Sequence, residues 1–166
     1  IGSESKRNFL FNEGYDDVIL RNNEFGKRLR KTLGEKELNI VLESIGGKIF
    51  SESFKALAPS GRIIIYGGAQ FMSNSSRPNY LNVLYKFLTR PKVDPLSLSN
   101  INKSVMGFNL IYLWDRPDDL KRMSEKILSM NLEKPFIGKE FSFNNLINAL
   151  KYFQSGNSIG KVIVKT

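Results

Sequence analysis

A chain of 166 residues with 41% hydrophobic content is long enough to bury the core of one domain, which excludes a disordered tail. Its formal charge of +9 suits an anionic partner such as a nucleotide, a nucleic acid or an acidic lipid, and equally an ordinary lysine-rich solvated surface. With no cysteine and no histidine, the chain has no disulfide framework, lacks the ligands zinc prefers and lacks the commonest general acid–base residue.

No apolar run approaches the roughly 20 residues of a membrane span and no signal pattern opens the chain, so the expectation is a soluble, cytoplasmic protein. Ile1 is not an initiator methionine, and the chain is expected to be a fragment. Ser3-Glu4-Ser5-Lys6 opens an amphipathic stretch that Gly14 ends, and a short strand is expected over 17–20. A basic helix follows over 22–33, closed by Gly34, and then a buried-strand run over 38–42 that Gly46-Gly47 breaks. The spacing of Phe50, Phe54 and Leu57 predicts a helix, Pro59-Ser60-Gly61 a turn, and Arg62-Ile63-Ile64-Ile65-Tyr66 a strand ending at Gly67-Gly68.

From residue 71 a polar Ser/Asn/Pro loop leads into a helix over about 79–90, and Pro91 and Pro95 are expected to hold an extended linker. Strand character returns over 104–113, an amphipathic helix over 118–130, and a short extended piece over 136–143. A last helix, capped by Asn144 or Asn145, runs through Phe153, and Val162-Ile163-Val164 closes the chain as a strand. Strands alternating with helices predict an α/β fold with a parallel sheet.

Four segments fall where such a sheet presents its strand ends, the place where ligands bind. They are Gly2-Ser3-Glu4-Ser5-Lys6-Arg7, Glu43-Ser44-Ile45-Gly46-Gly47, Tyr66-Gly67-Gly68 and Gly107-Phe108-Asn109. In this order, with Leu57-Ala58-Pro59-Ser60-Gly61-Arg62 and the terminal Gly160-Lys161-Val162-Ile163-Val164, the chain resembles the medium-chain dehydrogenases and reductases in their quinone oxidoreductase and enoyl reductase branch. Lys92-Val93-Asp94-Pro95-Leu96 looks most like the vesicle amine transport protein branch.

The resemblance implies a Rossmann-like parallel sheet with helices on both faces, truncated before its first strand. It implies a partial NADP-binding domain over 1–134 and a return segment over 135–166 that packs on a catalytic domain outside this chain. The Gly-x-Gly-x-x-Gly turn that seats the pyrophosphate would lie upstream, as would the substrate half, so no catalytic residue is assigned. The activity implied is hydride transfer from NADPH to a quinone or an activated double bond, without zinc, and the fragment alone would be inactive.

Roles carry over residue by residue. Where an acidic residue would accept from a ribose 2′-hydroxyl, this chain has Ser3 with Lys6 and Arg7 close behind, which suits a 2′-phosphate and hence NADP(H). Arg21 stands where relatives place a tyrosine, and its planar fork suits the same phosphate. Ser44, Ile45, Gly46, Tyr66 and Gly67 would let the main chain approach the ribose and nicotinamide, Phe108 and Asn109 would lie beside the nicotinamide, and Lys161 completes the cofactor set. The 104–113 strand, as a sheet edge, is expected to pair two subunits into a homodimer. A non-catalytic nucleotide- or RNA-binding module of the same fold is the alternative, and the 79–90 helix could instead meet a membrane.

Overall fold

The computed structural model describes residues 1–72 and 79–166, so the Ser/Asn/Pro loop expected after residue 72 falls mostly outside the described residues. It divides into two compact units, Ile1–Phe108 and Asn109–Thr166.

The first unit opens with a 3₁₀ turn at Glu4–Lys6 and helix α1 at Arg7–Asn12. Ser3 makes no side-chain cap; its hydroxyl pairs with that of Ser5 at 2.8 Å. The strand expected over 17–20 does not form. The segment's backbone pairs with Ile1, through Ile1 N–H to the Ile19 carbonyl and Arg21 N–H to the Ile1 carbonyl, both 2.7 Å, and one residue of pairing makes no ladder. Helix α2 runs Phe25–Leu33 and ends at Gly34. It starts later than expected because the Asn22 side chain accepts from Glu24 N–H and forms a turn there.

Strand β1 (Leu38–Glu43), helix α3 (Gly47–Ala56) and strand β2 (Leu57–Ile65) form a β-α-β unit. The turn expected at Pro59-Ser60-Gly61 lies inside β2 as an irregularity: pairing shifts between Leu38 and Ile40, and Ser60 takes φ 65°. Helix α4 (Tyr80–Leu88) starts at Asn79, whose side chain accepts from Asn82 N–H. Pro95 is not part of an extended linker. It opens helix α5 (Pro95–Ile101), with Asp94 accepting from Leu96 N–H as the cap, because Asp then Pro is a helix-start pair.

Strand β3 is Ser104–Gly107, shorter than the 104–113 strand expected. The sheet order is β1-β2-β3, all parallel. Val41, Ile63 and Val105 form one row, on the face where Ile63 is fully buried with Phe50 of α3 and Leu57. The next row, Leu42–Ile64–Met106, points to the other face as the pleat requires, and Leu42 and Met106 are exposed there.

In the second unit the Asn109 side chain accepts from Ile111 N–H and starts a 3₁₀ turn at Leu110–Leu113, which is why the strand stops short. Helix α6 (Pro117–Ser129), strand β4 (Ile137–Ser142), helix α7 (Leu146–Gln154) and strand β5 (Lys161–Lys165) follow. Parallel β4 and β5 are joined through α7, as a parallel pair requires. Asn145 does not cap α7 through its side chain, which bonds instead to Ser142 and Asn148. Among the described residues no helix is long and apolar enough to cross a membrane.

Candidate functional site

Because the three strands are parallel, their carboxyl ends meet at one edge, in the row Glu43–Ile65–Gly107. The loops leaving that edge are tied to each other. Tyr66 N–H donates to the Glu43 carbonyl at 2.9 Å, Ala69 N–H to Ser44 and Gln70 N–H to Ile45, both at 2.8 Å. Phe108 N–H donates to the Ile65 carbonyl at 2.8 Å. Ser44, Ile45, Gly46, Tyr66, Gly67 and Phe108 therefore gather at the strand ends, where an α/β sheet binds its ligand.

The glycines are required by the chain itself. Gly46 and Gly47 take φ 91° and 56°, and a Cβ on either would lie 2.6 or 2.5 Å from the Gln70 amide. At Gly67 a Cβ would come within 3.1 Å of Ser44. Close approach of loop to loop accounts for all three.

A second group forms near the chain start. Arg21 is held by its backbone bond to Ile1, and its Nη2 lies 3.0 Å from where a Cβ on Gly2 would stand. Lys6 N–H donates to the Ser3 carbonyl at 3.2 Å, so Ser3, Lys6 and Arg21 share one neighbourhood. Arg7 is engaged elsewhere, donating to the Glu4 carboxylate and, at 2.8 Å, to the Val18 carbonyl. Those contacts hold the Glu4 carboxyl below the usual carboxylate range, chiefly through the hydrogen bond from Arg7. In the second unit, Asn109 spends its side-chain acceptor on the turn it caps, and Lys161 begins β5 with an exposed side chain and its N–H on Phe136.

Sequence reasoning missed Glu43 as anything beyond a strand-end marker. Glu43 is only 3% exposed. Oε1 accepts from both Ile45 N–H and Gly46 N–H at 2.8 Å, which closes the turn into α3, while Oε2 has no hydrogen-bond partner among the described residues. Glu43 stands three positions before Gly46, and that spacing lets its carboxylate reach the two turn N–H groups.

A family model described as zinc-binding dehydrogenase matches residues 14–164. The synaptic vesicle membrane protein VAT-1 homolog of Danio rerio is 28% identical over 168 residues, covering 99% of this chain and 34% of that protein. The chain thus spans about a third of the length of this curated relative. The crystal structure of CurK enoyl reductase superposes with a TM-score of 0.70 at 20% identity, over 98% of this chain and 45% of that one. CurA from Vibrio vulnificus, solved in complex with NADPH, superposes with a TM-score of 0.63 at 20% identity, over 99% of this chain and 48% of that one. These neighbours share the Rossmann-type fold.

Zinc does not fit the residues of this chain. The sequence holds neither His nor Cys, and among the described residues no three acidic side chains group to hold a metal ion.

Proposed function

The chain belongs to the zinc-binding dehydrogenase family, and from that premise we propose that it is the cofactor-binding part of an NADPH-dependent oxidoreductase. This enzyme works without zinc and reduces quinones or activated double bonds. The observation that carries the reading is the edge where Ser44, Ile45, Gly46, Tyr66, Gly67 and Phe108 come together. It is supported by Arg21 lying over Gly2 beside Ser3 and Lys6, a cationic group suited to a 2′-phosphate, and by the NADPH complex of CurA.

In this reading Arg21, Lys6 and Ser3 hold the adenosine end of the dinucleotide. The loops after β1 and β2 present backbone to its ribose and nicotinamide, and Phe108 completes the set in this unit. Bound NADPH supplies the hydride; these residues bind and orient. The substrate-binding residues belong to the part of the protein that precedes this domain, and residues 135–166 return to pack on that part. The same reading places the protein in the cytoplasm as a homodimer, joined along the outer edge of β3, an edge strand of its sheet.

The test is NADPH consumption by the full-length protein with a panel of quinones and enones, with and without a zinc chelator. Turnover that survives the chelator is expected. No turnover with any acceptor overturns the enzymatic reading, and NADPH binding without turnover leaves the non-catalytic nucleotide-binding alternative.

A further inference from the structure

Helix α4 is packed with its cation inward. Of its residues only Val83 and Lys86 are partly buried, whereas Leu81, Leu84, Tyr85 and Leu88 are exposed. A helix placed for burial alone turns its leucines to the core and its lysine to solvent. Lys86 Nζ instead donates to the Gln70 carbonyl at 2.8 Å and lines a cleft of about 430 Å³, a volume inside the roughly 300–1,000 Å³ of small-molecule sites. Helix α3 supplies another wall, on which Lys48, Glu52 and Lys55 recur at helical spacing. Lys48 Nζ donates to the Asn23 carbonyl at 2.9 Å and Lys55 Nζ to the Glu52 carboxylate at 3.2 Å. Each of these ammonium groups has three donors and spends one of them on a protein oxygen among the described residues. Glu52 is the one carboxylate of the cleft among the described residues, and Arg30, outside the cleft, meets the same carboxylate at 3.0 Å. The cleft is therefore cationic, and its own anion is already paired.

We propose that this cleft between α3 and α4 is an anion site for a compact phosphorylated molecule, separate from the dinucleotide site. Lysine binds phosphate as a point charge, whereas planar recognition of a carboxylate favours the fork of arginine. The heads of Lys48 and Lys86 are held by main-chain carbonyls, so they are placed before any ligand arrives. Several heads around one cleft suit a ligand with several charges, and a diphosphate group should bind more tightly than a single phosphate. Ser44, Ile45, Gly46, Tyr66 and Gly67 do not border this cleft, and its three lysines play no part in the cofactor reading.

The experiment is a calorimetric titration of pyrophosphate, and separately of inorganic phosphate, into the full-length protein. NADPH is present at saturation to fill the dinucleotide site, and potassium chloride holds the ionic strength constant. If NADPH itself does not bind, that failure belongs to the cofactor reading, and the lysine variants still locate the pyrophosphate. Saturable binding is expected, tighter for pyrophosphate than for phosphate. Lys86→Met should weaken pyrophosphate by about tenfold, the scale of one hydrogen bond to a charged group. Lys48 is exposed, and Lys48→Met should weaken it by about threefold, the scale of an exposed ion pair. Glu52→Gln removes the negative charge of the cleft and should tighten binding, an opposite sign that general loss of structure would not produce. Lys121→Met removes an exposed lysine of α6 outside the cleft and should change nothing. The proposal is overturned by absence of saturable pyrophosphate binding, by equal losses from Lys86→Met and Lys121→Met, or by a Glu52→Gln variant that fails to bind more tightly.

Discussion

Replacing Arg21 with alanine should separate the two nicotinamide dinucleotides. The Arg21 backbone is fixed to Ile1 at 2.7 Å and its Nη2 lies against Gly2, so the guanidinium is placed beside Ser3 before any ligand arrives. A hydrogen bond to a charged group contributes about 1.5–3 kcal/mol. Arg21 is exposed, and solvent screening argues for the low end. About 1.5 kcal/mol corresponds to roughly a tenfold rise in the NADPH dissociation constant. NADH has no 2′-phosphate and should bind Arg21→Ala and wild type equally. Lys6→Ala should add a comparable loss, and the double variant should approach about a hundredfold if the two cations act independently. Calorimetric titration of both dinucleotides into the full-length protein reads this directly. Equal wild-type affinity for NADPH and NADH, or equal weakening of both by Arg21→Ala, would refute the assignment of this group to the 2′-phosphate.

Gly46→Ala should lower stability by at least about 1–2 kcal/mol from the left-handed backbone alone, since φ is 91° and the new Cβ would sit 2.6 Å from the Gln70 amide; a denaturant melt checks it. Lys103→Met should cost about 1 kcal/mol in the same assay, because Lys103 Nζ donates at 3.1 Å to the Phe54 and Lys55 carbonyls at the end of α3. Hydrogen bonds from Arg30 and then Lys55 hold the Glu52 carboxyl below its ordinary value, so its contribution is present above the ordinary carboxylate range and lost as pH falls through the lowered one. Glu52→Gln should accordingly flatten the acid limb of denaturation midpoint against pH, and an unchanged limb would contradict this. Gly107→Pro should convert the proposed dimer to monomer in light scattering: Phe108 N–H is spent on Ile65, so strand alternation turns Gly107 N–H to the open edge, and a Cβ on Gly107 meets nothing within 4 Å. A wild type that is monomeric at high concentration removes the premise.

The elements legible in the sequence are those whose signal is local. Leu38-Asn39-Ile40-Val41-Leu42 and Arg62-Ile63-Ile64-Ile65 are apolar runs that read as strands before any partner is known, and they form the paired rows of β1 and β2. Asn79 caps α4 as its chemistry suggests. The misread elements depend on a neighbour or on one side chain. Residues 17–20 have strand composition, but a strand is a property of a pair, and here the backbone pairing extends over one residue, Ile1, among the described residues. Periodicity over 104–113 gives no warning that Asn109 will spend its amide oxygen on Ile111 N–H and turn the chain at that point. Asp94-Pro95 was legible as a helix start, yet two nearby prolines favour reading the segment as extended.

The site divides along the same line. The order of the strand-end loops could be read because each follows a recognisable strand, and the parallel register then brings Ser44, Tyr66 and Phe108 to one edge without further information. The purpose of the glycines could not be read that way. Space for a cofactor and space for a neighbouring loop put the same demand on a sequence, and the structure shows Gln70 of the loop after β2 and Ser44 of the loop after β1 in the space the missing Cβ atoms leave. Glu43 is the sharper case. An acidic residue after an apolar strand reads as the point where the chain reaches solvent, because carboxylates are almost never fully buried unless paired. Here the two backbone N–H groups of the turn pair with one oxygen, and the other is buried without a partner among the described residues. Glu43 is thus a residue whose sequence context is ordinary, and only the packing around it makes its burial unusual.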